Sequence, residues 1–213
     1  MDNISNLQMV DDFINTMPNK NMQAEAAASV YQDQLTKPSG SLGMLEELAV
    51  FLAGWQNSER PVIETAQAII FAGNHGICKQ GVNPYPQEVT QRMVSNFENG
   101  GAAMNQLCSL SGAELTIKPL SLDSPTQDFT QTNAMSMTEL LDAMSAGIKS
   151  VDRSANIILL GEMGIGNSTV SSALAASVFG GRVADWVGAG TGSDEKGIAR
   201  KICIIEEGIA KHG

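Results

Sequence analysis

The spacing of apolar residues changes near residue 64 from helical to strand-like, and that change divides the chain. Upstream, residues 23–35 are rich in alanine and polar side chains, while residues 43–56 place Leu45, Leu48, Leu52 and Trp55 about one helical turn apart. Residues 1–60 therefore read as a helical subdomain, with Pro38, Gly40 and Gly43 shaping a polar connection between two of its helices. Downstream, the short apolar run 66–73 ends in glycine, as expected of a strand buried on both faces. A helix opens near Pro86, with Val89, Met93, Val94 and Phe97 as its buried stripe and Asn99, Gly100 and Gly101 at its end. There follow a helix through Met104 and Leu107, a strand over 113–120, a polar loop over 121–136 and a helix over 138–151. A strand over 156–160, a helix to about Phe179 and a short strand over 183–187 come next. The last helix carries Ile198, Ile202, Ile205 and Ile209 on one stripe, behind Ser193, Asp194 and Glu195 as cap and first-turn acids. Alternating strands and helices predict an α/β fold over 61–213: a Rossmann-like, three-layer parallel sheet with helices on both faces.

Composition narrows the partners. With 213 residues and 43% hydrophobic content the chain can bury one substantial core, with or without a helical appendage. Thirteen basic residues against 23 acidic ones give a net charge of −10, without a Lys/Arg cluster, which argues against nucleic acid and anionic membranes. An anionic substrate gains nothing from such a field, so its site must rely on local donors and one or two placed cations. Met1, Asp2 and Asn3 open the chain without a basic start, no apolar signal core follows, and no apolar stretch reaches membrane-spanning length, so neither export nor membrane insertion is expected. Cys78, Cys108 and Cys203 are odd in number and far apart, which matches neither a disulfide framework nor a zinc pattern and suits the cytoplasm. His75 and His212 are the only histidines, and neither is read as a metal ligand; no metal and no cofactor is expected.

The candidate chemistry centres on Gly161-Glu-Met-Gly-Ile-Gly-Asn-Ser-Thr169, between a strand and an alanine-rich helix. Its glycines let backbone N–H groups turn toward a ligand, and the helix start adds unpaired donors and the positive end of a dipole. An anion suits that turn, although a tight strand-to-helix turn without a ligand would read the same. Four residues separate Gly161 from Gly166, as in a Walker A loop, but Asn167 stands where that loop needs lysine. Nor is it a dinucleotide fingerprint, so a monophosphate ester fits better than ATP or NAD. A second glycine-rich turn runs from Gly188 through Gly190, Thr191 and Gly192. Asn74, His75 and Gly76 fall just past a strand's carboxyl end, where open α/β sheets bind ligands. Lys201 falls about 60° off the apolar stripe of the last helix and can lean into a cleft, whereas Arg200 points to solvent. A lysine beside an apolar stripe also commonly snorkels.

Six segments in order, Leu35-Thr-Lys-Pro-Ser-Gly-Ser-Leu-Gly43, Asn74-His-Gly76, Tyr85-Pro-Gln-Glu-Val-Thr90, Asn99-Gly-Gly-Ala-Ala103, the 161–169 turn and Gly190-Thr-Gly192 with Ala199-Arg-Lys201, resemble the nicotinate-nucleotide:dimethylbenzimidazole phosphoribosyltransferase family. The resemblance runs from about residue 35 to the last residue. It implies transfer of 5-phosphoribose from nicotinate mononucleotide to 5,6-dimethylbenzimidazole, giving α-ribazole 5′-phosphate and nicotinate for cobalamin biosynthesis. It also implies a homodimer that uses no metal. Glu162 then matches the family's glutamate near the ribose, and Lys201 its lysine at the same site. The N–H groups of Gly164, Ile165, Gly166, Asn167, Ser168 and Thr169, with Gly190, Thr191 and Gly192, would hold the phosphate, while Tyr85, Pro86, Gln87 and Met93 would form the benzimidazole pocket. Asn74 departs from a common aspartate, and Ser39 and Ser168 from proline and threonine. The family's Gly-Glu-Gly-Ser-Gly-like segment, which carries its proposed general base, has no counterpart before Gly213. The resemblance therefore implies a chain that is incomplete for catalysis, and oligomeric or poorly soluble by itself. The alternative is a module that binds a nucleotide monophosphate or an azole without turnover; a P-loop phosphotransferase is disfavoured by the absent lysine.

Overall fold

The computed structural model describes residues 3–213, so the helical expectation for 1–60 begins on Met1 and Asp2, which lie outside the described residues. The chain divides into two compact units. The helical one comprises Ile4–Ala66 with Asp152–Ile157, and contains α1 (Leu7–Asn15), α2 (Met22–Gln34) and α3 (Met44–Gln56). Asparagines open the first two helices: the Asn6 side chain accepts from the N–H of Met9, and that of Asn21 from Gln23 and Ala24. The residues α2 and α3 bury are small, Ala24 and Ala28 on one and Ala53 and Gly54 on the other. A methyl group on Gly54 would sit 2.7 Å from Cγ of Glu25, and the Gly54 oxygen accepts from the Asn21 N–H at 2.8 Å, so the two segments approach closely. That choice turns the larger side chains outward: Leu45, Leu48 and Trp55 of the sequence's apolar line are exposed. In the connection between α2 and α3, Lys37 pairs with Glu46 at 2.7 Å, and the N–H of Leu42 donates to the same carboxylate. Asn156 Oδ1 accepts from the N–H groups of Glu64 and Thr65 at 2.8 and 2.9 Å and fastens the 152–157 segment to this unit.

The second unit is built on a sheet of β1 (Ala66–Gly73), β2 (Glu114–Leu120) and β3 (Ile157–Met163), in the order β2-β1-β3. β1 and β2 run parallel, in register from Gln67 opposite Glu114 to Gly73 opposite Leu120. The middle strand buries Ala68, Ile69, Ile70 and Ala72, which explains its unbroken apolar run. Around the sheet stand α4 (Glu88–Glu98), α5 (Ala103–Ser111), α6 (Met137–Lys149), α7 (Asn167–Phe179), α8 (Val183–Trp186) and α9 (Glu195–His212), giving the α/β fold that the alternation predicts. Residues 121–136 form neither helix nor strand, apart from an isolated bridge between Thr126 and His75.

Three expectations are corrected. Residues 183–187 are not a strand. Val183–Trp186 form one helical turn, because this short run between glycines finds no strand to pair with. Instead it buries Val183 beside Ala176 and Ile205, and Trp186 donates to the Gly180 carbonyl at 2.9 Å. β3 also runs farther than its apolar residues, so that Gly161, Glu162 and Met163 are strand rather than turn. In α4 the buried line is Thr90, Val94 and Phe97, with Val89 and Met93 only half-buried. α9 buries Ile205, Gly208 and Lys201, and Gly208 exists to admit the ring of Phe129, which a methyl group there would meet at 2.4 Å.

Gly76, directly after the loop that leaves β1, abuts the 126–128 backbone. A methyl group would lie 2.3 Å from the Thr126 oxygen and 2.7 Å from the Asp128 nitrogen. Backbone yields poorly, so Gly76→Ala should cost about 1–3 kcal/mol of unfolding free energy in urea melts. A loss below about 0.5 kcal/mol would show that the 126–128 segment moves aside freely.

Candidate functional site

The sheet order decides where a ligand can sit. The chain leaves β1 toward β2 on one side and returns to β3 on the other, so the loops that follow β1 and β3 diverge across a topological switch point. Those loops carry Asn74, His75 and Gly76, and Gly164, Ile165 and Gly166.

Backbone donors in the second loop divide into used and free. Ile165 N–H donates to Thr90 Oγ1 at 3.0 Å, Asn167 N–H to the Gly164 oxygen at 3.2 Å, and Thr169 N–H to the Gly166 oxygen at 3.0 Å. Among the described residues, the N–H groups of Gly166 and Ser168 have no partner. Thr90, fully buried on α4, thus anchors the turn from below. The Cys78 thiol does so from the 3-10 turn Gly76–Gln80, donating to the Ile165 oxygen at 3.0 Å. Burial pushes the Cys78 thiol's pKa up, which keeps it protonated and able to donate. Two glycines are sterically required. Gly164 would drive a methyl group into Asn167 Oδ1 and the Gly73 oxygen, at 2.3 and 2.4 Å; Gly166, at φ +101°, would meet Cys78 Sγ at 2.8 Å.

Above the turn, Asn167 Nδ2 donates to Glu162 Oε2, and Asn167 Oδ1 bonds His75 Nε2. A carboxylate only accepts, so the amide nitrogen must face Glu162 and the amide oxygen His75; His75 Nε2 therefore carries a hydrogen. Burial lowers the His75 pKa, opposed by the Asn167 bond and the Glu162 charge, so its imidazole is neutral at pH 7.

The second glycine turn meets the first through Lys201. This residue is only 2% exposed, and its ammonium lies 3.4 Å from the Gly188 oxygen and 3.5 Å from both the Ala189 oxygen and Ser168 Oγ. A methyl group on Gly190 would come 2.9 Å from Ser168 Oγ and 3.1 Å from Lys201 Nζ. Thr191 and Gly192 stand exposed beyond it. No ion pair among the described residues includes Lys201, and burial alone pulls its pKa below the ordinary 10.5. The hydroxyl of Thr169, buried under the turn, also lacks a partner among the described residues.

The structure thus joins Glu162 to Asn167 above the turn, and Ser168, Gly190 and Lys201 to one another beside it. Of the residues read as a base pocket, Gln87 reaches this region, donating to the His75 oxygen at 3.1 Å. It also lines a cleft of about 460 Å³ with Asn74, Glu88, Gln91 and Arg92. Tyr85 and Pro86 are exposed before α4, and Met93 is half-buried on it. Asn74 donates to the Leu122 oxygen at 2.9 Å, while its buried Oδ1 has no partner among the described residues. Among the described residues no three His, Cys, Asp or Glu side chains converge as a metal site requires, and no helix is long and apolar enough to cross a membrane. Sequence reasoning assigned no specific role to Thr90, Cys78 or His75. For Thr90 a signal existed, a polar residue on the line of Val94 and Phe97; the other two act through residues 87 and 92 positions away.

The protein family described as Phosphoribosyltransferase matches residues 17–213. The nicotinate-nucleotide–dimethylbenzimidazole phosphoribosyltransferase of Rhodobacter capsulatus is 57% identical over 197 residues, covering 92% of this chain and 59% of the relative. The protein of the same name from Roseobacter denitrificans is 50% identical over 208 residues, covering 98% of this chain and 62% of the relative. Among solved structures, CobT from Thermus thermophilus superimposes with a TM-score of 0.81 at 34% identity, covering 89% of this chain and 62% of that one. The chain therefore spans about three fifths of the length of these proteins.

With its pKa lowered, Lys201 makes the folded chain bind fewer protons than the unfolded chain between the lowered value and 10.5, so stability rises with pH across that interval. Lys201→Met should therefore be more stable than the native chain in urea at pH 7, with the advantage shrinking toward about pH 10. A Met variant less stable than native at pH 7 would mean that the ammonium is compensated.

Proposed function

Because this chain belongs to the phosphoribosyltransferase family, we propose that the two glycine turns bind nicotinate mononucleotide for transfer of its 5-phosphoribosyl group to 5,6-dimethylbenzimidazole. The products would be α-ribazole 5′-phosphate, nicotinate and a proton, in cobalamin biosynthesis. The observation that carries this reading is the buried Lys201 ammonium, which has no carboxylate partner among the described residues and lies beside Ser168 and Gly190. A dianionic phosphate would satisfy it, together with the free N–H groups of Gly166 and Ser168 at the start of α7. Ile165, Asn167 and Thr169 would shape that cradle, and Gly164, Gly190, Thr191 and Gly192 would close it.

In the transfer, an azole nitrogen donates its lone pair to C1′ as the bond to the nicotinate nitrogen breaks and its electron pair leaves with nicotinate. The ribosyl centre gains cationic character between the two events. A carboxylate held beside the sugar stabilises that charge, and Glu162 is assigned this role, with Lys201 as counter-charge to phosphate and carboxylate together. Tyr85, Pro86, Gln87 and Met93 are assigned to the flat, apolar azole; Gln87 is supported by its bond to the loop after β1. We further propose a cytoplasmic homodimer whose residues 61–213 form the phosphoribosyl-binding core and 1–60 a helical subdomain.

Incubation with nicotinate mononucleotide and dimethylbenzimidazole, followed by chromatography for α-ribazole 5′-phosphate, tests the transfer. Tight binding of nicotinate mononucleotide without product would keep the nucleotide assignment without separating transfer from a binding module, whereas absence of binding would overturn the reading. Lys201→Ala should weaken calorimetric binding of nicotinate mononucleotide by about 10- to 100-fold, the worth of a charge-assisted bond. Unchanged affinity in that variant would remove the phosphate from this site.

A further inference from the structure

We propose that His75 is a positioning residue for the phosphoribosyl site: its Nε2–H fixes the Asn167 amide, which in turn holds the Glu162 carboxylate in place. This rests on the functional reading above for what Glu162 does, and on geometry alone for the relay.

The three side chains come from both sides of the switch point. His75 follows β1, whereas Glu162 closes β3 and Asn167 opens α7. Glu162 is exposed on an edge where a free carboxylate would sample several rotamers; a single donor at Asn167 Nδ2 selects one. Asn167 can make that bond only if its amide is not flipped, and a flip would set its nitrogen against the Nε2–H of His75, donor against donor. His75 thus adds a second restraint against the flip, beside the carboxylate itself, and fixes the amide plane between the two.

The surroundings are cut to fit this arrangement. Gly164 leaves the space that Asn167 Oδ1 occupies, at 2.3 Å from where a methyl group would be, and Gly166 leaves room for the His75 side chain, whose Cβ would lie 3.3 Å from one. The ring is held from its own backbone as well, since Gln87 donates to the His75 oxygen and Thr126 bridges the same residue. His75 reaches Glu162 only through the Asn167 amide, so it need not touch the substrate.

Two readouts need no substrate. Nitrogen-detected NMR should show the Nε2–H tautomer at His75, and the Asn167 side-chain amide should shift in His75→Ala but stay close to native in His75→Gln, whose amide N–H can replace the imidazole donor. An Nδ1–H tautomer, or an Asn167 amide unmoved by His75→Ala, would overturn the relay. A third readout is a double-mutant cycle on the affinity for nicotinate mononucleotide. His75→Ala should weaken binding about tenfold in the native background, as loss of a hydrogen bond to a charged group propagates, with rescue by His75→Gln. In a Glu162→Ala background the same change should cost less than about twofold. Equal losses in both backgrounds would show that His75 acts by some other route and overturn the assignment. If the native chain bound no nicotinate mononucleotide at all, the functional reading would fall, and the NMR readouts would decide the relay by themselves.

Discussion

Everything at the candidate site depends on β1 lying between β2 and β3. A chain that ran its strands in sequential spatial order would carry each carboxyl-end loop over its neighbour and leave no crevice. Here the loops after the first and third strands diverge, and the opening between them is spanned by side chains rather than backbone. His75 on one loop reaches Asn167 beyond the other, while Thr90 and Cys78, from the α4 and 3-10 segments between β1 and β2, hold Ile165 by its N–H and its oxygen. The glycine turn is therefore bound on three sides before any ligand arrives. Its residual freedom lies in the direction of the unbonded N–H groups, which is what preorganisation requires.

The glycines of the two turns serve proximity as much as dihedral freedom. Gly164 and Gly190 mark the places where Asn167 Oδ1 and Ser168 Oγ approach the backbone too closely for a Cβ, with Lys201 Nζ just beyond the second, and only the second has a positive φ. Replacing either would displace a functional side chain rather than merely strain a turn. The same device appears in the helical unit, where Gly54 and alanines set the spacing of α2 and α3. There its effect is the reverse, since tight contact between small residues leaves the large apolar side chains of α3 without cover.

What could be read from the sequence follows from the range of the interactions involved. β1 was legible because burial on both faces makes a continuous apolar run, and α9 because its isoleucines repeat with the helical period. The glycine turn was legible as a place where backbone N–H groups stay unbonded among the described residues, since the chemistry of Gly164 to Ser168 is local. Lys201 was legible as a side chain able to lean inward, but not as one that is 2% exposed, because its burial comes from Gly188, Ala189 and Ser168 on two other segments. Residues 183–187 show the opposite failure. Valines at both ends of a five-residue run favour a strand locally, yet a strand is stable only beside a partner, and the core near Ile205 offered a place for one helical turn instead. Thr90 was half-legible: its place on the line of Val94 and Phe97 marks it as buried, but the N–H that it accepts comes from 75 residues away and leaves no mark nearby.

The Lys201 ammonium under the second turn, which has no carboxylate partner among the described residues, has a consequence outside chemistry. A fold that holds a charge without a counter-charge is poorest when empty and gains stability with every ligand it captures, by about 2.7 kcal/mol at a hundred times the dissociation constant. For a marginally stable domain that gain is a large share of the total, and it lowers the unfolded population on which proteases act. If the site binds as proposed, the number of surviving copies would follow the concentration of the ligand, and abundance of the protein would be set in part by supply of what it binds.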